Sequence, residues 1–135
     1  MAISENPVLE SWVAATTFSS TSVYKFVVVD TSGHVIDPSA STNVFPVGVL
    51  YGPTQTTTTQ HESVPVAVAG VVKVQAAAST ISLGNYVAAS TKGFVIAPTS
   101  DSHVCGIVKY GSSGSAGRVL SVQLWKFGPD AKGIA

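Results

Sequence analysis

Residues 64–74 read VPVAVAGVVKV, and this stretch decides the fold. Every even position holds valine or glycine: Val64, Val66, Val68, Gly70, Val72 and Val74. In an extended chain side chains alternate faces with a period of two, so these all point one way. The odd positions run from Pro65, Ala67 and Ala69 to Val71, Lys73 and Gln75, drifting from apolar to polar. A helix would scatter the valines around its circumference and restrict their β-branched side chains at most turns. The stretch therefore predicts a long, central, half-buried strand, well beyond the roughly five or six residues usual for one. Gly70 is the expected bend or bulge at which that strand turns a corner.

Working outward, the flanking segments carry the same signature. Val23–Asp30, His34–Ile36, Phe45–Tyr51, Tyr86–Ala89, Phe94–Ala97, Val104–Tyr110 and Arg118–Phe127 are apolar runs separated by turn residues. Thr31-Ser32-Gly33 and Ser90-Thr91-Lys92-Gly93 read as hairpin connections. Gly52–Glu62 reads as an exposed loop and Gly111–Gly117 as a loop tip. Eight to ten short strands at this spacing predict an all-β fold, a compact sandwich or small barrel. No internal repeat is evident at this level. The expected organisation is an extended N-terminal arm at 1–22, a β-domain at 23–127 with one core, and a flexible tail at 128–135.

Composition narrows the function classes. The chain has 135 residues, 45% hydrophobic and only 10% charged, with seven basic and seven acidic residues. Average domains carry about 25% charge. So neutral a surface lacks one protection against association, and predicts work within an assembly. The cations are dispersed, which speaks against nucleic acid. No apolar run approaches the roughly 20 residues of a membrane-spanning helix. The start, MAISENPVLESWV, lacks the pattern of a secretory signal. Cys105 stands alone between apolar neighbours, so it reads as an inert buried thiol in a protein made in a reducing cytosol.

No residue cluster announces catalysis. His34 lies between Asp30 and Asp37, His61 precedes Glu62, and His103 follows Asp101, all at turns where such residues are common. No serine sits in a nucleophile elbow, and no group has metal-ligand spacing. Gly111–Gly117 lacks the lysine and following helix of a phosphate loop. The expectation is a non-enzyme without cofactor or metal.

The first 22 residues carry Val8, Leu9, Trp12, Val13 and Phe18, more large apolar side chains than a disordered tail holds. Either they form an arm that docks on another chain, or Val8–Val13 is a strand or a turn of helix on its own domain. Trp125 faces away from the Leu120/Val122/Leu124 row. It is either a contact residue, as tryptophan often is at interfaces, or it packs beneath the arm or a loop.

From Tyr24 to Leu124, about three quarters of the chain, the sequence resembles the small capsid decoration (cement) proteins of tailed bacteriophages. The residues that carry the resemblance are Pro46-Val47-Gly48-Val49-Leu50, the Val66–Val74 strand, and Ile81-Ser82-Leu83-Gly84-Asn85-Tyr86-Val87. Lys92-Gly93-Phe94, Cys105-Gly106-Ile107-Val108 and Gly117–Leu124 follow. The family often has Asp where Asn85 stands. The resemblance implies a homotrimeric β-domain on the outer surface of the virion capsid, gripping the major capsid protein and stabilising the head. Val8, Leu9, Trp12, Val13, Phe18 and Trp125 are the expected contact residues. A second reading is a phage tail or host-adhesion module, with Tyr51, Tyr110 and Trp125 stacking on cell-surface glycans. A small hydrolase is a distant third.

Overall fold

In a computed structural model of the chain, residues 6–38, 46–52, 62–77, 81–90, 92–98, 104–111 and 117–124 are described below. Nine strands account for most of them: β1 (Val8–Val13), β2 (Phe26–Val29), β3 (Val35–Ile36), β4 (Pro46–Leu50), β5 (Ser63–Gln75), β6 (Tyr86–Ala89), β7 (Val95–Ile96), β8 (Val104–Tyr110) and β9 (Val119–Leu124). The fold is all-β, as expected. All strand pairs are antiparallel, along the path β3-β2-β4-β5-β9-β8-β6-β7, with β1 on the other edge of β5. The strands form one curled antiparallel sheet, a half-barrel.

The long strand is as read. β5 spans 13 residues, but its valines do not share one core: Val64 and Val66 are buried in one cluster and Val72 and Val74 in another, on either side of Gly70. Gly70 sits at φ +89°, a conformation closed to most L-residues. A Cβ there would collide with the Asn6 carbonyl oxygen, so the bend also requires the missing side chain. The first half of β5 pairs with β1 and β4, the second half with β9.

That handover exposes a duplication. The path is a palindrome: β1, β2, β3, β4 and the first half of β5 form one unit, and the second half of β5 with β6, β7, β8 and β9 forms another. The correspondence holds residue by residue. Val27 faces Gly48 and, after a bulge, Val28 faces Pro46; Val87 faces Gly106 and, after a bulge, Ala88 faces Val104. Parallel bridges close both units, Ala14 to Val35 and Ala76 to Val95. A Cβ on Gly48 would meet the Ala67 carbonyl and Val66; on Gly106 it would meet the Gln123 carbonyl and Val122. The sequence expectation of no internal repeat is corrected. Residues 27–38, VVVDTSGHVIDP, align with 87–98, VAASTKGFVIAP, sharing Val, Thr, Gly, Val, Ile and Pro.

The single expected core is likewise two. One cluster, Ala14, Phe18, Val27, Val35, Leu50, Val64 and Val66, fills the first unit. The other is built on Val72, Val74, Val87, Val95, Val108, Leu120 and Val122 of the second unit. It also takes in Phe26, Val49 and Ala67 from the back of the first unit's sheet. The first unit therefore caps the second.

Val8–Val13 is extended, but it pairs within its own chain. β1 pairs with β5, and Ala14, Ala15 and Phe18 are buried behind it. A 3-10 turn at Ser20–Ser22 and a left-handed Tyr24 (φ 68°) delay β2 to Phe26, later than the Val23 start expected.

Candidate interaction surface

The histidine–carboxylate candidate that falls among the described residues has a structural role. Asp30 Oδ1 accepts the Ser32 and His34 amides, each at 2.9 Å, and so ties the β2–β3 turn. The His34 amide is the main reason its carboxyl is held below the usual range, with the Ser32 amide adding to it. Ser90 does the same in the second unit, its Oγ accepting the Lys92 and Phe94 amides at 3.2 and 3.1 Å. His61, Asp101 and His103 lie outside the described residues. No group of three potential metal ligands occurs among the described residues. Cys105 is buried, and desolvation pushes its thiol up to about 11, which keeps it protonated and unreactive near neutral pH.

The surface is more informative. Seven large apolar side chains are exposed among the described residues, and they fall in two places. Val8, Leu9 and Val13 lie on β1. Leu83, Tyr86, Tyr110 and Val119 lie on the outer side of the second unit. An open groove between β1 and β5 is lined by Leu9, Glu10, Ser11, Ser63, Val64 and Pro65.

β1 also presents an open edge. The Ala14 amide donates to the Glu62 carbonyl at 2.8 Å, which sets the phase of the ladder. Trp12 and Glu10 are then hydrogen-bonded pairs with Val64 and Val66. Ser11 and Val13 face Pro65 and Ser63 in the intervening class, the one where proline's missing N–H costs nothing. The Ser11 and Val13 amides point away from β5; along β1 itself no strand pairs with that edge among the described residues, and Val35 of β3 meets it only beyond, at Ala14 and Ala15.

The expected contact residues divide on this geometry. Val8, Leu9 and Val13 are exposed. Trp12 is half-buried against the first core, its indole N–H donating to Glu10 Oε1 at 3.2 Å. Phe18 is a correction: it is 2% exposed, a core residue with no surface to offer in the folded chain. Trp125 lies outside the described residues. Of the aromatics expected to stack on sugars, Tyr110 is exposed, while the Tyr51 hydroxyl is occupied by the Lys73 amide at 2.7 Å. Leu83, Tyr86 and Val119 were missed by sequence reasoning, because each sits in a run that alternation alone assigns to a strand or turn.

No family model and no curated protein matches the chain. Among solved structures it is similar to the crystal structure of the head fiber gp8.5 N base in bacteriophage phi29. The TM-score is 0.55 at 14% identity, covering 87% of this chain and 93% of that one. At that identity the likeness is one of fold. It runs through both units rather than one, since it spans nearly all of each chain.

Proposed function

We propose that this chain is a non-enzymatic structural protein of a phage virion, a homotrimer that sits on the outer surface of the major capsid protein and stabilises the head. The observation that carries the reading is the fold shared, over almost the full length of both chains, with the base of a phage head fiber. The low charge and the exposed apolar side chains on β1 support it, since both favour a surface meant to be covered. On this reading Val8, Leu9 and Val13 are partner-contact residues, with Trp12 bracing the strand from behind. High copy number on a symmetric shell lets individually weak contacts hold.

The test is co-sedimentation of the purified chain with purified phage heads, followed by heating of the heads. The expected result is saturable binding at a fixed ratio to the capsid protein and a higher disruption temperature. A chain that stays in the supernatant, and is missing from purified particles, would overturn the reading.

A further inference from the structure

The joint between the two units has a giving side and a receiving side. The first unit gives the back of its sheet: Val23 is 4% exposed and Phe26 is fully buried there. Tyr51 Oη accepts the Lys73 amide at 2.7 Å, and the Tyr24 carbonyl accepts the Gln75 amide at 2.7 Å. The second unit receives with the outward edge of β5 and with its hairpin turn, where the Gly93 carbonyl accepts the Phe26 amide at 2.8 Å.

Because the units are duplicates, each side exists twice. The giving side recurs on the second unit. There Leu83 stands for Val23, Gly84 for Tyr24 and Tyr86 for Phe26; past a bulge at Lys109, Tyr110, opposite Ser121, stands for Tyr51, whose amide donates to the Pro65 carbonyl. The match at Gly84 is conformational as well: Tyr24 and Gly84 both have positive φ, and their amides donate to the Leu50 and Val108 carbonyls respectively. The receiving side recurs on the first unit, where β1 stands for the second half of β5. Ser11 stands for Lys73, Val13 for Gln75 and Gly33 for Gly93. Yet these copies are uncovered. Leu83 is 65% exposed, where Val23 is buried. A Cβ on Gly93 would meet the Phe26 carbonyl at 2.8 Å, whereas one on Gly33 would meet nothing within 4 Å. Of the exposed large apolar side chains, Leu83, Tyr86 and Tyr110 lie on the second unit's uncovered side, and Val8, Leu9 and Val13 lie on β1.

We infer that the partner on β1 is a second copy of this chain: the outer face of one copy's second unit docks on the β1 edge and β2–β3 turn of the next, repeating between chains the joint within each. This rests on the self-association in the proposed function and names where the copies meet. Tyr110 Oη accepts the Ser11 amide of the neighbour, and the Gly84 carbonyl accepts its Val13 amide. Leu83 and Tyr86 are covered by the neighbour's first unit. The contact joins unlike surfaces, so it propagates head to tail until a ring closes or a filament grows.

The test uses the full chain, without phage heads, in analytical ultracentrifugation. Ser11→Pro removes the outward amide at a position where the ladder to β5 uses none. Leu83→Glu with Tyr110→Glu spoils the other side. The wild type is expected to assemble, each variant alone to sediment as a single chain, and an equimolar mixture of the two to form a one-to-one dimer and nothing larger. Circular dichroism checks that each variant is folded, and Val13→Lys replaces Ser11→Pro if proline is not tolerated. A wild type that is monomeric at every accessible concentration overturns this inference together with the trimer. Variants that assemble like the wild type, or a mixture that stays monomeric, overturn this interface and leave self-association elsewhere standing. Capsid binding is read separately, by sedimentation with heads.

Discussion

The Tyr51 hydroxyl accepts the Lys73 amide at 2.7 Å, so a side chain from one unit occupies a strand-edge position in the other. Tyr24 stacks edge-on against the Tyr51 ring at 5.3 Å and fixes its direction. Tyr51→Phe keeps the ring and removes the acceptor. A net hydrogen bond is worth about 0.5–1.5 kcal/mol, and water compensates in part at this exposed edge, so urea denaturation should show a loss toward the lower end. Tyr110→Phe, the duplicate position, should change the stability of the monomer by less than about 0.5 kcal/mol. A larger loss for Tyr110→Phe than for Tyr51→Phe would contradict the pairing of these residues.

Gly48→Ala and Gly106→Ala should behave as a pair. Each new methyl would meet a backbone carbonyl and a valine Cγ1 on the neighbouring strand. Backbone cannot swing aside as a side chain can, so each should cost at least the roughly 1–3 kcal/mol of an overpacked core. Thermal melts of the two variants would check this, and a neutral result at either position would contradict the close strand approach.

Gly93→Ala and Gly33→Ala separate strain from crowding. Both positions have positive φ, +83° and +81°, so both should lose roughly 1–2 kcal/mol to backbone strain. Gly93→Ala alone also crowds the Phe26 carbonyl and should be the less stable of the two in the monomer. Equal losses would contradict the packing of the second hairpin against β2.

Asp30 predicts a pH dependence of known sign. Its carboxyl is lowered from the ordinary 3.8 because the His34 and Ser32 amides favour the charged form. The stabilisation is therefore present above the unfolded value and is lost as pH falls through the lower, folded one. The melting temperature should fall through that acid range in the wild type. Asp30→Ser, which copies the Ser90 cap of the second unit, should flatten that part of the profile. An unchanged profile would mean that other carboxylates dominate acid unfolding.

Removing residues 1–22 should unfold the chain rather than trim an arm, because it takes β1 off β5 and Phe18 out of the first core. Phe18→Ala alone should cost about 3–5 kcal/mol by denaturant titration. A cooperative melt near the wild-type temperature after truncation would contradict this. Cys105 offers a companion measurement. With its thiol pushed up to about 11 and its side chain buried, it should resist alkylation until the chain unfolds.

Much of the fold was legible because alternation is a local signal. Val64–Val74 and its glycine corner follow from the pleat of an extended chain, and β4, β6 and β8 lie close to where their apolar runs predict them. The duplication was not legible in the same way. Partners are 62 residues apart at Ala14 and Ala76 but 56 apart at Val66 and Val122, because the second unit's connections are shorter. Only the β2–β3 hairpin keeps enough identity to align without gaps. Phe18 was misplaced for a different reason: burial by a strand brought from 45 or more residues away leaves no trace in its neighbours. The two uncovered faces became visible only once each could be compared with its covered duplicate.

The shared strand has a mechanical consequence. β5 runs through both units without a linker, and the Tyr51–Lys73, Tyr24–Gln75 and Phe26–Gly93 hydrogen bonds restrain one from swinging against the other. Tension applied at β1 passes along one continuous backbone to β9, sliding whole ladders past each other instead of peeling bonds apart singly. A molecule strung this way behaves as a short stiff rivet.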